Sequence, residues 1–413
     1  MTAPLPGGAP TFADRWALMA DGGFQRVWFS GLVTEAIRWL EMVATAIFVF
    51  QLTGRAFDVA IVMFCRQIPM VLFGALYGGL AERMDRRVIL LSAMGLLTIG
   101  TAVLGLLALF DAIRVWHIAI GGFLGGTVFA TDFPVRRVVL GEIAGLRRVG
   151  IAMSLDLVTR SSTRMLGPAA GGILLASTGL SGTYFLATAL YAVAFYGLLS
   201  LRYEPEVQTR PVGNIFRNIL DGFRYIRTQR MVQATLLVTA INNMLIFPYI
   251  TMVTPIAQGT MSLSESLTGI LTAFEGAGAF IGALVIAATA RQVHYARIYL
   301  YGSLLAAGAA MAFSFTGSFV TAAAMLLVAG MGVGCFAAMQ STLIVLKTEP
   351  AMRSRVMGVM SVAIGAGPLG TLQMGSLAEW IGPQGAILLL SATGAALLIG
   401  AAILWPELRR RVD

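Results

Sequence analysis

FGALYGGLAERMDRRVILL (residues 73–91) leaves an apolar run, carries five charges within residues 82–87, and returns at once to an apolar run. Such a stretch reads as the water-exposed turn of a hairpin whose two arms enter a bilayer. A helix rises about 1.5 Å per residue, so roughly 20 apolar residues cross about 30 Å of hydrocarbon. Working outward, runs of that length recur at 26–52, 57–81, 88–110, 115–138, 149–176, 182–201, 231–258, 264–290, 296–316, 319–346, 354–380 and 384–405. The spacing predicts an all-α integral membrane protein with twelve transmembrane helices. Composition agrees: 57% of the 413 residues are hydrophobic and 12% are charged, against about 25% charged in a soluble domain.

The longest polar interval is 202–230, after the sixth run. The expected organisation is therefore a cytoplasmic segment 1–25, a six-helix bundle 26–201, a cytoplasmic linker 202–230, a second six-helix bundle 231–405 and a cytoplasmic tail 406–413. In the linker, NIFRNILDGFRYIRTQR (214–230) repeats Ile215, Phe216, Ile219, Leu220, Phe223 and Ile226 at helical spacing. An amphipathic helix at the membrane surface is expected there. The halves also resemble each other. Residues 73–91 lie opposite IGALVIAATARQVHYARIY (281–299), and RRVGIAMS (147–154) lies opposite SRVMGVMS (354–361). Duplicated, pseudo-symmetric halves are a mark of transporter folds, with the substrate between them.

Orientation follows from the arginines. With the N-terminus in the cytoplasm, the inner connections hold Arg83, Arg86, Arg87, Arg147, Arg148, Arg202, the arginines of 210–230, Arg291, Arg297, Lys347, Arg353 and Arg355. The outer connections hold Arg55 and Arg114. Both termini are thus expected in the cytoplasm, and the net charge of +9 needs no nucleic acid to explain it. The N-terminal stretch is too polar for a cleavable signal peptide, so the first span does the targeting. A bacterial cytoplasmic membrane is the expected location, and a monomer is sufficient to enclose a cavity. Cys65 and Cys335 lie in separate apolar runs and read as packed thiols. No H-E-x-x-H, G-x-S-x-G or G-x-x-x-x-G-K-[ST] pattern occurs, which disfavours a membrane-embedded enzyme and an ATP-driven pump. His117 and His294 read as interfacial, a channel or receptor has no positive feature, and no cofactor or metal is expected.

The first run, VTEAIRWLEMVATAIFVFQL (33–52), places Glu35, Arg38 and Glu41 in one sector of about 120°. The fifth run repeats the pattern with Asp156, Arg160 and Arg164. Arg66, Asp132 and Glu275 lie in the second, fourth and eighth runs, and runs three, six, nine and twelve carry no charge within their hydrophobic spans, Arg297 standing at the cytoplasmic edge of run nine. A charge facing lipid costs at least about 2.5–3.5 kcal/mol, so the charged runs face protein or water and every third run can face lipid. In the first half four acids (Glu35, Glu41, Asp132, Asp156) match four bases (Arg38, Arg66, Arg160, Arg164). Either these are ion pairs that fix packing, or they line a cavity. The cavity is favoured, because buried pairs stabilise poorly and intramembrane charges mark function. Glu35 and Glu41, then Asp132, are the candidates for proton exchange. Arg38, Arg66, Arg160 and Arg164 are the candidates for binding an anionic substrate. In the second half Asn242, Asn243, Gln340 and Gln373 either contact substrate or bridge helices. Pro248 and Pro255 are expected to bend the seventh run. The glycines at 121, 122, 125, 126, 276, 278 and 282 are expected to let helices approach closely.

GGLAERMDRRVILL (78–91) resembles motif A of the major facilitator superfamily, G-x-L-a-D-R-x-G-R-R-x-x-L. Gly78, Leu80, Arg83, Arg86, Arg87 and Leu90 match. Glu82 replaces the usual aspartate, and Asp85 replaces a glycine as is common in the branch of enterobactin exporters and macrolide efflux proteins. GPAAGG (167–172), beginning at Gly167 and Pro168, is similar to the end of motif C, associated with antiporters; Ser154 and Thr163 stand at its earlier glycines. The resemblance spans about 24–405. It implies two six-helix bundles, with helices one, four, seven and ten lining a cavity and three, six, nine and twelve outside. It also implies a gate at motif A, where Glu82 meets the start of helix eleven near Ser354 and Met357 and Arg86 or Arg87 pairs with an acid. The expected activity is export of a small amphipathic, siderophore-like or drug-like molecule in exchange for protons. Import of an anionic solute by the same residues is the alternative.

Overall fold

The computed structural model describes residues 12–81, 85–201, 203 and 224–409. Within them the apolar runs are helical, since a segment in lipid must bond its own backbone N–H and C=O groups. The longest helix, Val115–Leu199, has 85 residues and would stretch about 128 Å if straight, several bilayers deep. It is broken at Gly145 (φ 70°, ψ 166°) and Gly179 (φ 69°, ψ −176°). Ala366–Leu404 is broken likewise at Gly382 (φ 76°, ψ 160°). That backbone region is essentially closed to residues with a Cβ, so one glycine reverses the chain at each point.

The described residues then form twelve spans: α1 (Gly22–Thr53), α2 (Ala56–Ala81), α3 (Arg86–Leu109), α4 (115–144), α5 (146–178), α6 (180–199), α7 (230–260), α8 (Glu265–Thr289), α9 (Tyr295–Phe313), α10 (Phe319–Lys347), α11 (353–381) and α12 (383–404). A short helix, Phe12–Met19, precedes them. Asp21 caps α1 by accepting from the Phe24 N–H at 2.9 Å, and Asp85 caps α3 by accepting from the Arg87 N–H at 2.8 Å. The expected bend in α7 is a change of helical register. Asn242–Ile246 is π-helical, Phe247–Met252 is 3-10, and Ile256–Thr260 is π-helical again. Pro248 and Pro255 lack an N–H and crowd the preceding turn, so the regular ladder cannot pass through them.

Apolar side chains gather separately in the two halves. Phe24, Leu90, Met94, Leu140 and Tyr191 form one cluster of the first half, and Val43, Ile47, Val59, Ile118 and Tyr184 form another. The second half centres on Tyr249, Tyr299, Phe313, Leu326 and Ile387, joined by Ala56 and Ala60 of α2. Ile99 of α3, Tyr196 of α6, Tyr301 of α9 and Ile403 of α12 are exposed, as befits lipid-facing helices. The halves meet along α5 with α8 and α2 with α11. At the first seam Gly172 lies against Gly269: a Cβ on Gly269 would stand 2.8 Å from the Gly172 Cα. Of the expected linker helix, residues 224–230 are described, with Ile226 buried beside Val232, Ile344 and Val356; residues 214–223 lie outside the described residues, as do Glu82, Arg83 and residues 1–11.

Candidate functional site

The intramembrane charges sort into one cluster and three separate pairs. Glu35 on α1 is 4% exposed and stands between two guanidiniums. Arg38 donates to its Oε2 at 2.9 and 3.1 Å, and Arg160 of α5 approaches its Oε1 at 3.6 Å. Aromatic faces hold these arginines in place. Arg38 lies 4.8 Å over Trp39 and 4.5 Å over Phe129, Arg160 lies 4.3 Å over Phe133, and Arg164 lies 5.5 Å over Trp39. Phe129 and Phe133 stack on α4 with centroids 5.5 Å apart and planes 17° from parallel. Arg164 reaches across the seam to Glu275 of α8, at 2.5 and 3.4 Å. The side chains of Arg38, Arg160 and Arg164 retain 28%, 33% and 28% exposure. Guanidiniums held deep in the spans and partly open must face a polar interior rather than lipid.

The remaining candidates divide. Arg66 of α2 donates to Glu41 at 3.2 Å and to the Arg38 carbonyl at 3.3 Å, behind the cluster. Glu41 Oε1 is buried with no hydrogen-bond partner within the protein. Asp132 is 1% exposed and takes a close contact from Arg136, which also donates to the Thr34 hydroxyl at 3.0 Å. Asp156 pairs with Arg137 at 3.6 Å. The four-to-four match drawn from sequence therefore differs from the pairing found. Arg136 and Arg137 belong to the count, and Glu275 arrives from the other half. The i, i+4 spacing of Asp132 and Arg136 on one helix carried the signal for that pair. In the second half Asn242 is fully buried and donates to the Val238 carbonyl and Ser303, at 2.8 and 3.0 Å. Gln340 donates to Thr239, and Asn243 donates to the Thr239 carbonyl. Asn242 and Gln340 stitch helices together and Asn243 bonds within α7, whereas Gln373 keeps a buried Oε1 without a partner.

A sequence profile describing transmembrane secretion effectors matches residues 13–411. The chain belongs to that family of the major facilitator superfamily. It is 25% identical to the multidrug efflux pump Tap of Mycolicibacterium fortuitum over 92% of this chain and 95% of that protein. It is 26% identical to the enterobactin exporter EntS of Escherichia coli over 82% of this chain and 81% of that protein. Staphyloferrin A transporter of Staphylococcus aureus is 24% identical over 65% of this chain and 67% of its own length. Among solved structures, the nucleoside transporter NupG superposes with a TM-score of 0.75 at 13% identity, covering 93% of this chain and 100% of that one. A bacterial homologue of the lysosomal transporter Spinster, in an inward-facing conformation, gives 0.71 at 15% identity, covering 95% of this chain and 99% of that one. The two structural likenesses speak for the fold. This facilitator is a membrane transporter, not an enzyme.

Facilitator motif residues take visible positions. Arg86 donates to Glu142 of α4 at 2.5 Å and to the Tyr203 hydroxyl at 2.8 Å. Burial and the Glu142 carboxylate push the Tyr203 hydroxyl up to about 12, so it stays protonated and donates to that carboxylate. Arg87 donates to the Leu199 carbonyl and Arg26 to the Ser200 carbonyl, at 2.6 and 3.0 Å. Together they cap α6 beside a hollow of about 900 Å³ lined by Asp21, Arg26, Arg87 and Leu201. Gly78 falls within α2. In the motif C stretch, a Cβ on Gly167 would meet the Trp39 Cβ at 2.6 Å, and Pro168 sits next to it facing Gly269 through its carbonyl. Gly167 thus seats α5 on α1, and Pro168 and Gly172 seat it on α8.

Among the described residues, four polar links join the two halves. Gln51 donates to Glu265 at 2.8 Å, Arg55 to Glu379 at 2.8 and 2.9 Å, Gln67 to Thr371 at 3.4 Å, and Arg164 to Glu275. Gln67 and Arg164 sit midway along α2 and α5, and Gln51 and Arg55 sit at the end remote from the chain termini. All four links therefore lie at the middle of the molecule or towards that far end.

Proposed function

We propose that this transporter exports a small amphipathic, siderophore-like or drug-like molecule across a bacterial cytoplasmic membrane by alternating access, in exchange for protons. The observation that carries the reading is the arginine cluster of α1, α4 and α5 facing the second half, with the halves linked from the middle to the far end. With both termini in the cytoplasm, as the arginine-rich connections favour, this arrangement is open towards the cytoplasm. The bundles 26–201 and 231–405 rock about the cluster, breaking the far-end links as the terminal end closes. The efflux pump and exporter among its relatives support the outward direction. Glu41, with one oxygen free of protein partners, and Glu35 are the carboxylates placed to exchange protons; Asp132 is sealed against Arg136 and joins them only if the bundle opens. Motif A gates the terminal end through Arg86 and Arg87. The protein works as a monomer, since one chain supplies both walls.

A second reading, import of an anionic solute with protons, draws on Glu35. Protonating it releases Arg38 and Arg160 for an anion, so proton and anion binding favour each other.

The test is accumulation of a panel of dyes, antibiotics and siderophores in cells with and without a protonophore. Wild type is run beside Glu35→Gln and Glu41→Gln variants of matched expression and folding. Lower accumulation of one compound, abolished by protonophore and by either variant, is the expected outcome. Higher accumulation makes the protein an importer. Normal transport by both well-folded variants removes these carboxylates from proton coupling.

A further inference from the structure

Counting the charges by partner exposes an imbalance. Among the described residues, and away from the helix ends, six guanidiniums meet five carboxylates. Three pairs are one to one: Arg66 with Glu41, Arg136 with Asp132, and Arg164 with Glu275; Asp156 lies 3.6 Å from Arg137 and also within electrostatic reach of Arg160. Arg38 and Arg160 share Glu35. One positive charge is therefore uncompensated; it is shared over Arg38, Arg160 and Arg137 through Glu35 and Asp156, and Arg38 and Arg160 are its partly open members on the aromatic wall. A charge held inside a membrane protein without a counter-charge is costly, so the site favours a ligand that brings one negative charge.

The surroundings restrict what carries that charge. Both guanidiniums already lie over ring faces, and Phe129 and Phe133 form a near-parallel stack on the same wall. Trp39, Phe129 and Phe133 are each partly exposed. A planar ring slides onto such a wall as a further layer, while a carboxylate in its plane accepts paired N–H bonds from an arginine fork. An aliphatic acid would satisfy the charge and waste the stack; a neutral arene would do the reverse. We propose that the wall formed by Arg38, Trp39, Phe129, Phe133 and Arg160 is a subsite for the flat, singly anionic end of an aromatic acid. This rests on the reading of the protein as a transporter with a central cavity, and it names the substrate class of that cavity.

The probe is 2-naphthoate, compared with 2-naphthamide and with the saturated decahydro-2-naphthoate, titrated calorimetrically into the full chain in lipid nanodiscs. Naphthoate is expected to bind at least about tenfold tighter than either comparison compound, as a charge-assisted bond and a ring stack would each give. Removing the shared carboxylate should sharpen the preference: Glu35→Gln strengthens naphthoate binding and leaves naphthamide unchanged. Arg160→Gln leaves Arg38 fully paired with Glu35, and it should bring naphthoate and naphthamide to within about twofold. Should Arg160→Gln misfold, Arg38→Gln makes the same charge change. Equal affinity for acid and amide, no naphthoate binding, or weaker naphthoate binding by a folded Glu35→Gln protein would each overturn the proposal. Failure here beside protonophore-sensitive export of a neutral or cationic compound leaves the transporter reading standing. The expected binding pattern with no compound moved in cells leaves the site standing and removes the export reading.

Discussion

Arg136 is 5% exposed and its charge is used up on Asp132 and the Thr34 hydroxyl. Removing one member of a buried pair strands the other in low dielectric, at a cost of about 3–5 kcal/mol. Arg136→Gln is therefore expected to lower the melting temperature in detergent sharply, and the double change Asp132→Asn with Arg136→Gln to recover most of it. Asn242→Ala should cost about 1 kcal/mol through its bond to Ser303. It should leave affinity for any cavity ligand unchanged by calorimetry, because the side chain is fully buried. These assignments mark the limit of what a sequence can say about single residues. Glu35, Arg38, Arg160 and Arg164 were legible as intramembrane charges, because hydropathy and helical spacing are local properties. Their partners were not. Whether Arg164 meets an acid of its own half or Glu275 on α8 depends on how helices are rotated against each other, and no local pattern records that. Asn242 and Gln340 read equally as cavity amides or as bridges between helices for the same reason, and their bonds to Ser303 and Thr239 make them bridges.

Among the elements, α5 has the most constrained surroundings, with α1 on one face and α8 on another. Gly167 and Gly172 let it approach both, and Gly276 lets α8 sit beside the Arg164 backbone, where a Cβ would come within 2.8 Å. Bulk at the seam between α5 and α8 should act differently from bulk inside a half. Gly269→Leu is expected to wedge α5 from α8 and shift the protein towards a far-end-open form. The readout is a longer distance between spin labels at residues 52 and 260. Gly126→Leu pushes α4 against the α2 backbone near Arg66, and should reduce thermal stability without lengthening that distance. The helices themselves were plain from sequence, since twenty-residue apolar runs admit few other readings. The register changes of α7 were only half visible: Pro248 and Pro255 announced a disturbance, but its π and 3-10 form depends on packing against α11.

For the whole molecule, the question is what keeps the far end shut. Arg55–Glu379 is open to water, with side chains 55% and 32% exposed, so ions screen it. Arg164–Glu275 is shielded at the middle, with Glu275 at 6%. Raising salt should therefore loosen the far end slightly, by about as much as Arg55→Ala does, and should have little further effect on that variant. Glu275→Gln is expected to lengthen the distance between labels at 52 and 260 well beyond either, at any salt concentration.

The one-glycine reversals at Gly145, Gly179 and Gly382 carry a practical consequence. At those three corners the chain passes from one span to the next with no loop to offer. Proteases cut, and chains accept inserted tags, at exposed loop tips, and antibodies raised against the intact protein need protruding surface of the same kind. An affinity tag or reporter placed at any of these corners would force a Cβ or extra residues into a backbone only glycine adopts. Inserted tags and binders are better built on wider connections such as 110–114, 261–264 and 314–318.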